Sequence, residues 1–473
     1  MTDGLWSPSR RALTVGLVLT ITLVAFEALA VATVMPVVAR ELGGLDLYGW
    51  VFSAFFLGNL VGIVVVGGLI DRGGLIRPFV GGLTLFGIGL AIGGFAPSMP
   101  VLIAGRLLQG FGAGAIAPTA YVAIGRSLPV HLRARMFATL STAWVLPGVV
   151  GPAIAGIVAV QATWRLVLLG LIPLIVVSGT LAVAGLRHVP DIDPAAARAE
   201  HAAATQSLRR LPWAILLSVG AALALAGLSD PTTPLAIALL AIGLVVGVAA
   251  FRSLVPVGTL RARGRLPSAV LVRGFATFAF FAVDAYVSLL LVGWRGISPA
   301  EAGIALTAAT VSWTVGSWIQ ARWIGRLGAA RFVRTGLAIT VLGIAATALV
   351  IVPSVPVAWA VPAFALAGFG MGFAYSPLSL VVLAEAAAGA EGGATAALQL
   401  ADTLGTALGT GVSGAVLAAA ARSGSTLGLG LAAAFGIAAA VGLLGAALGG
   451  RVGGATRERD AFVSREFELD LPR

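Results

Sequence analysis

The ionisable side chains Glu27, Arg106, Asp284 and Asp402 interrupt otherwise apolar runs of this sequence, and Arg273 falls near the start of the run that holds Asp284. A charge deep inside a bilayer-length apolar segment is expensive, so it is kept where it does work. Desolvation favours the neutral form of a carboxylate, and a nearby cation favours the charged form. A carboxyl group whose surroundings alternate between wet and occluded can therefore take up and release a proton. Substrate and proton then compete for one negative charge, or load it in turn. Glu27 lies near the centre of an apolar run over 12–38, and Asp284 at similar depth in a run over 267–293. Arg106 is too deep to snorkel and needs an anionic or carbonyl partner, with Glu27 one candidate and a backbone tether the other. Asp402 is expected as a third charge of the same site, as a member of a proton path, or as a structural hydrogen-bonding group. For Glu27 and Asp284 the competing reading is a carboxylate bonded between helices for packing alone.

The elements that must position these residues follow from composition. Hydrophobic residues make up 59% of 473 positions, charged residues 10%, and mean hydropathy is +1.03. Soluble domains carry about 25% charged residues, so this chain is a membrane protein. Apolar runs long enough to span fall at roughly 12–38, 47–70, 78–96, 101–125, 136–160, 165–186, 212–229, 234–251, 267–293, 299–321, 332–352, 357–384, 393–421 and 425–450. Backbone facing lipid must be helical, so each run predicts a helix. The run after Arg10-Arg11 exceeds a signal-peptide core and is expected to be a retained first span. The seventh and eighth runs are the shortest, joined by Ser229–Thr233. Segment 187–211, with Pro190, Pro194 and charges of both signs, reads as a linker; a second linker, 252–267, carries four arginines.

All thirty basic residues are arginine, and the net charge is +11. The arginines fall in short clusters between apolar runs rather than in one patch, which excludes nucleic acid as the expected partner. In alternate loops and tails, 24 arginines fall on one side and four (Arg40, Arg165, Arg295, Arg422) on the other. That asymmetry predicts both termini in the cytosol. The count holds equally for twelve and fourteen spans. Cys is absent, which excludes disulfides and thiolate metal sites. His131, His188 and His201 are expected in loops, so neither a buried His relay nor a metal site is expected. Tryptophans at span ends (Trp50, Trp144, Trp164, Trp294, Trp318) read mostly as interfacial anchors, and Trp313 as a packing or lipid-facing residue, with a place along a substrate path as the alternative. Glu385 is expected to be solvated, and the tail over 451–473 to be a charged, solvated segment.

A repeat links the two ends of the chain. The stretch after the second span, Asp71-Arg72-Gly73-Gly74-Leu75-Ile76-Arg77, and that after the tenth, Gly325-Arg326-Leu327-Gly328-Ala329-Ala330-Arg331, share R-x-G-x-x-R spacing 254 residues apart. Shifted back by that separation, Asp284 falls within one helical turn of Glu27. Repeated halves are a mark of secondary transporters.

On these residues the chain resembles the major facilitator superfamily. Gly67, Asp71, Arg72 and Gly74 match its cytosolic G-x-x-x-D-R-x-G-R-R element, with Leu75-Ile76 where paired basic residues stand and Arg77 after them. Arg106-Leu107-Leu108-Gln109-Gly110-Phe111-Gly112 is similar to its R-x-x-Q-G-x-G element. Gly148, Gly151, Pro152 and Gly156 are similar to the antiporter element G-P-x-x-G-G, with Ala155 at one glycine. Glu27 followed by Pro36 resembles the acidic first-span stretch of the 14-helix drug:proton antiporters, with Glu for Asp.

The resemblance implies an all-α polytopic fold of two six-helix bundles plus an inserted two-helix hairpin, 14 transmembrane helices in all. The expected divisions are 1–186, 187–266, 267–450 and 451–473. It implies that the first and ninth helices line a central cavity from opposite sides. A gating role is expected for Gly67, Asp71, Arg72, Gly74 and Arg77, and for Arg326, Gly328 and Arg331, since an acid and a base at a tight glycine turn can latch neighbouring helix ends; topology marking by charge alone is the alternative. The expected activity is proton-coupled export of amphipathic small molecules by a monomer in a bacterial inner membrane. No P-loop is present, so a proton gradient rather than nucleotide, and no cofactor, is expected to supply the drive. Export of a lipid or metabolite, solute import, and a non-transporting scaffold are the alternatives; the chain is not expected to be an enzyme.

Overall fold

The computed structural model describes residues 4–453 except 9, 130, 131, 133, 134, 137, 138, 141, 142, 190–193, 231 and 388–390. Side chains are not described at 67, 68, 71–73, 125, 194–208 and 391 either. The chain is all-helical. Among the described residues, thirteen helices are long and apolar enough to cross a membrane, and a fourteenth apolar helix has 17 residues.

The first bundle contains α1 (Arg11–Leu42), α2 (Tyr48–Gly73), α3 (Ile76–Gly94), α4 (Met99–Ser127), α5 (Val145–Gln161) and α6 (Trp164–Leu186). A hairpin of α7 (Pro194–Ser229) and α8 (Pro234–Leu254) follows. The second bundle contains α9 (Arg265–Ser288), α10 (Pro299–Leu327), α11 (Ala329–Ala348), α12 (Ala360–Glu385), α13 (Glu391–Arg422) and α14 (Leu427–Leu448). A π-helical segment, Leu289–Trp294, extends α9.

Both bundles use the same packing plan. In the first, α4 packs on α2 and α3, and α1 on α5 and α6; in the second, α12 packs on α10 and α11, and α9 on α13 and α14. The sequence supports this in a G-F-G-x-G run at 110–114 and again at 368–372. A Cβ at Gly110 would overlap the Phe55 carbonyl of α2, and one at Gly372 the Trp313 carbonyl of α10. With no dry-versus-wet driving force between helices in lipid, close approach at small residues supplies the packing energy. The junctions repeat too: Gly74 between α2 and α3 has φ +80°, and Gly328 between α10 and α11 has φ +77°. Left-handed backbone at these turns suits glycine and reverses the chain tightly.

Across the pseudo-symmetric interface, α2 meets α13 and α5 meets α10, while α7 lies along both α2 and α13. The hairpin therefore covers one of the two seams between the halves. Ser218 of α7 donates to the Leu57 carbonyl of α2 at 3.2 Å, fixing it there.

Two sequence expectations need correction. Segment 187–211 is not simply a loop: α7 begins at Pro194 and runs unbroken to Ser229, which places His201 in a helix. Proline suits a first helical turn, and the alanines that follow are the strongest helix formers, which outweighs the mixed charge. Asp71 and Arg72 lie in the last turn of α2 rather than in a loop. Glu385 is exposed, as expected, and there it pairs with Arg265 at 2.6 Å. His131 and the tail from 454 onward lie outside the described residues, as does part of the expected fifth span over 136–160.

Candidate functional site

Among the described residues, each bundle holds one buried charged cluster. In the first, Glu27 of α1 is fully buried and forms an ion pair with Arg106 of α4. Arg106 Nη1 also donates to Gln109 Oε1 at 3.1 Å, and its Nε donates to the Val51 carbonyl of α2 at 3.1 Å. Gln109 Nε2 donates to the same Glu27 oxygen at 3.3 Å, and Glu27 Oε2 has no hydrogen-bond partner. The guanidinium lies 4.3 Å from the centre of the Phe55 ring. Arg106 and Gln109 are three residues apart and so share one face of α4, which is why a single carboxylate can bind both. The cluster is a dry seam joining α1, α2 and α4.

In the second bundle, Arg273 of α9 donates from Nε to Asp402 Oδ1 of α13 at 2.7 Å and from Nη1 to the Tyr375 carbonyl of α12 at 2.6 Å. The Tyr375 hydroxyl donates to Asp402 Oδ2 at 3.2 Å, so both carboxylate oxygens are engaged. The Arg273 guanidinium stacks over the Tyr375 ring, and Thr277 donates to the Asp402 carbonyl at 3.1 Å. Tyr121 of α4, 51% exposed, comes within electrostatic reach of both Asp402 and Tyr375, bringing the first bundle to this cluster.

Asp284 is different. It is half-buried in the last turns of α9, with no hydrogen bond or ion pair among the described residues. Arg273, Thr277, Phe280 and Asp284 follow one another at helical spacing on one face. Asp284 stands about 16 Å along that face from Arg273. Aromatic rings crowd the same stretch. Phe280 stacks on Phe364 at 5.4 Å and meets Trp313 edge-on at 5.3 Å, and Trp313 meets Tyr375 at 5.2 Å. An unpaired carboxylate one helical turn from an aromatic cluster is a chemistry for cations, combining charge attraction with ring quadrupoles.

The antiporter-like row of α5 lies on the seam between halves. Cβ atoms added at Gly148 and Gly156 would strike Thr310 and Ala300 of α10, and Pro152 sits against Gly303. Gly151 instead faces Phe26 of α1. Further ties across the halves sit toward the arginine-poor end. Arg40 Nη2 donates to the Val292 carbonyl at 2.7 Å, Ser53 Oγ donates to the Ala407 carbonyl at 3.0 Å, and Tyr286 packs on Tyr48 at 5.2 Å.

Of the expected gating residues, Arg77 and Arg331 are exposed, and Arg326 lies 5.2 Å from the Trp323 ring centre. Gly67 lies within α2, and the side chains of Asp71 and Arg72 lie outside the described residues. Trp164 is 1% exposed and donates to Glu41 Oε2 at 2.7 Å, so it is a buried polar anchor rather than an interfacial one. Sequence reasoning missed Arg273, Tyr375 and Tyr121. Arg273 did carry a signal, a lone arginine inside the run that also holds Asp284, but its partner lies 129 residues away.

Comparison with known proteins fits this architecture. Over 98% of this chain and 99% of the other, the fold matches the POT family transporter PepTSo with a TM-score of 0.65 at 14% identity. It matches the xylose transporter XylE from E. coli over 92% of this chain and 97% of that one, with a TM-score of 0.62 at 14% identity. A probable multidrug-efflux transporter of Mycobacterium tuberculosis is 28% identical over 404 residues, 81% of this chain and 83% of that protein. Multidrug resistance protein 3 of Bacillus subtilis is 32% identical over 157 residues, 33% of this chain and 31% of that one. The family model of the Major Facilitator Superfamily matches residues 17–410. This chain belongs to the Major Facilitator Superfamily.

Proposed function

We propose that this protein is a proton-coupled exporter of amphipathic, cationic or neutral small molecules, working by alternating access. The observation that carries this reading is Asp284, a half-buried carboxylate within a membrane helix, one turn from the aromatic cluster around Phe280 and without a hydrogen-bond or ion-pair partner among the described residues. Such a group can hold either a proton or a cationic substrate, and exclusive loading of one charge by two ligands is what exchange requires. Glu27 is the second proton carrier of the reading, with Arg106 as the cation that competes for its charge. Asp402 and Arg273 form a third element, opened and closed as the bundles rock.

Drug-type substrates are supported by the relatives' names and by a site built mainly of apolar and aromatic groups with few fixed charges. The arginine asymmetry supports cytosolic termini, and with them a bacterial inner-membrane protein. On that orientation, the ties at the arginine-poor end support a closed outer face. The expected divisions at 1–186, 187–266, 267–450 and 451–473, a monomeric state and the lack of any cofactor are part of the same reading.

Substrate-driven proton flux in proteoliposomes tests it, with Asp284→Asn and Glu27→Gln beside the parent. Flux coupled to a cationic dye in the parent and lost in Asp284→Asn is the expected result. Coupling unchanged in both variants would remove these residues from the mechanism.

A further inference from the structure

A groove of about 450 Å³ runs between α2 and α3 with α4 as its floor, near the arginine-rich end of the first bundle. It exists because α2 and α3 both pack on α4 and hardly on one another. Phe111 and Ala115 line its floor. They project from the side of α4 opposite Arg106 and Gln109, which bind Glu27 of the bundle interior. The groove therefore opens away from the central site, onto the bilayer. Its walls are apolar, Leu69 and Leu85 being 46% and 38% exposed within it. A Cβ at Gly81 would meet nothing within 4 Å, so this glycine leaves groove volume that the protein does not fill.

One charge stands on the wall. Arg77, in the first turn of α3, is exposed and has no hydrogen bond or ion pair among the described residues. An apolar trough holding an unpaired guanidinium at the level of the membrane surface is complementary to an amphipath with an anionic head and hydrocarbon tail. The volume lies in the range of sites that enclose small ligands, about 300–1,000 Å³. Basic pockets between membrane helices recognise anionic lipid heads in this way. We propose that this groove is a binding site for an anionic glycerophospholipid, its phosphate on Arg77 and one acyl chain along α2 and α3. The lipid would sit beside the Gly74 turn, so its occupancy would bear on the mobility of that junction. The assignment does not depend on what the protein transports.

Photolabelling of the full chain in phosphatidylcholine vesicles tests it, using trace phosphatidylglycerol or phosphatidylcholine with a photoactivatable acyl chain. The phosphatidylglycerol probe is expected to label the 62–85 segment preferentially. Arg77→Gln removes one surface cationic contact and is expected to reduce that labelling about five-fold. Gly81→Leu keeps every charge, fills the groove and is expected to reduce it at least as far, while both variants elute as monodisperse protein. Equal labelling by the phosphatidylcholine probe, or undiminished labelling in Gly81→Leu, would overturn the site. Displacement of the label by ethidium, a cationic amphipath, would mark the groove as a route for transported molecules and overturn it as well.

Discussion

Removing the Arg106 guanidinium would strand the Glu27 carboxylate in a dry seam, already with one unpartnered oxygen. Breaking a buried pair from one side costs about 3–5 kcal/mol, more than replacing both partners with apolar groups of similar size. Arg106→Met is therefore expected to lower thermal stability in detergent more than the Glu27→Leu/Arg106→Met double variant. Equal losses would show that the pair does not act as a unit. At the second cluster, the Tyr375 hydroxyl supplies one hydrogen bond to a carboxylate already held by Arg273. Tyr375→Phe is expected to cost roughly 1.5–3 kcal/mol, and Arg273→Ala about 3–5 kcal/mol, read from thermal unfolding. Asp284→Asn strands no ionic partner, so it is expected to leave thermal stability unchanged while abolishing coupling. This split separates a working carboxylate from a structural one.

Among the elements, α4 and α12 carry the packing of their bundles through alternate glycines. Gly372→Leu would drive a side chain into the Trp313 carbonyl, and an overpacked seam typically costs about 1–3 kcal/mol or more. It is expected to reduce the monodisperse yield sharply in size-exclusion chromatography, whereas Gly81→Leu, projecting into open space, is expected to leave it intact. Gly328→Val at φ +77° is expected to cost at least about 1–2 kcal/mol. The existence of these helices was legible from apolar run length, and the R-x-G-x-x-R repeat announced two related junctions. The start of α7 was not legible, because charges and a proline mark a linker and a capped helix alike. Nor could the sequence show that the Gly148/Gly156 row faces α10, since a small residue declares close approach without naming the neighbour.

For the whole molecule, the two seams between halves set what can move. The α2–α13 seam is closed toward the arginine-poor end by Ser53 and Thr410, whose hydroxyl oxygens lie 3.2 Å apart, and it is backed by α7. The chain has no cysteine, so Ser53→Cys/Thr410→Cys introduces one defined pair into a clean background. Oxidation is expected to crosslink the halves and stop transport, and reduction to restore it, followed by gel mobility and dye flux together. Full transport by the crosslinked protein would show that this seam does not part during the cycle. Because α7 covers the α2–α13 seam, any lateral exchange with the bilayer is directed to the α5–α10 side.

What the sequence by itself determined is one-dimensional. Run length decided a membrane protein with fourteen apolar segments, arginine counts gave the ends of those segments opposite character, and recurring glycine motifs implied two related halves. Those quantities depend on neighbouring residues and on bilayer thickness alone. Only the tertiary structure decided that Glu27 belongs to Arg106, that Asp402 belongs to Arg273 and Tyr375, and that Asp284 is left without a partner. Five charges in apolar runs allow several pairings, and the choice rests on how each helix is rotated and which neighbour packs against it. Those rotations are settled by contacts among side chains a hundred or more residues apart, where hydropathy carries no information.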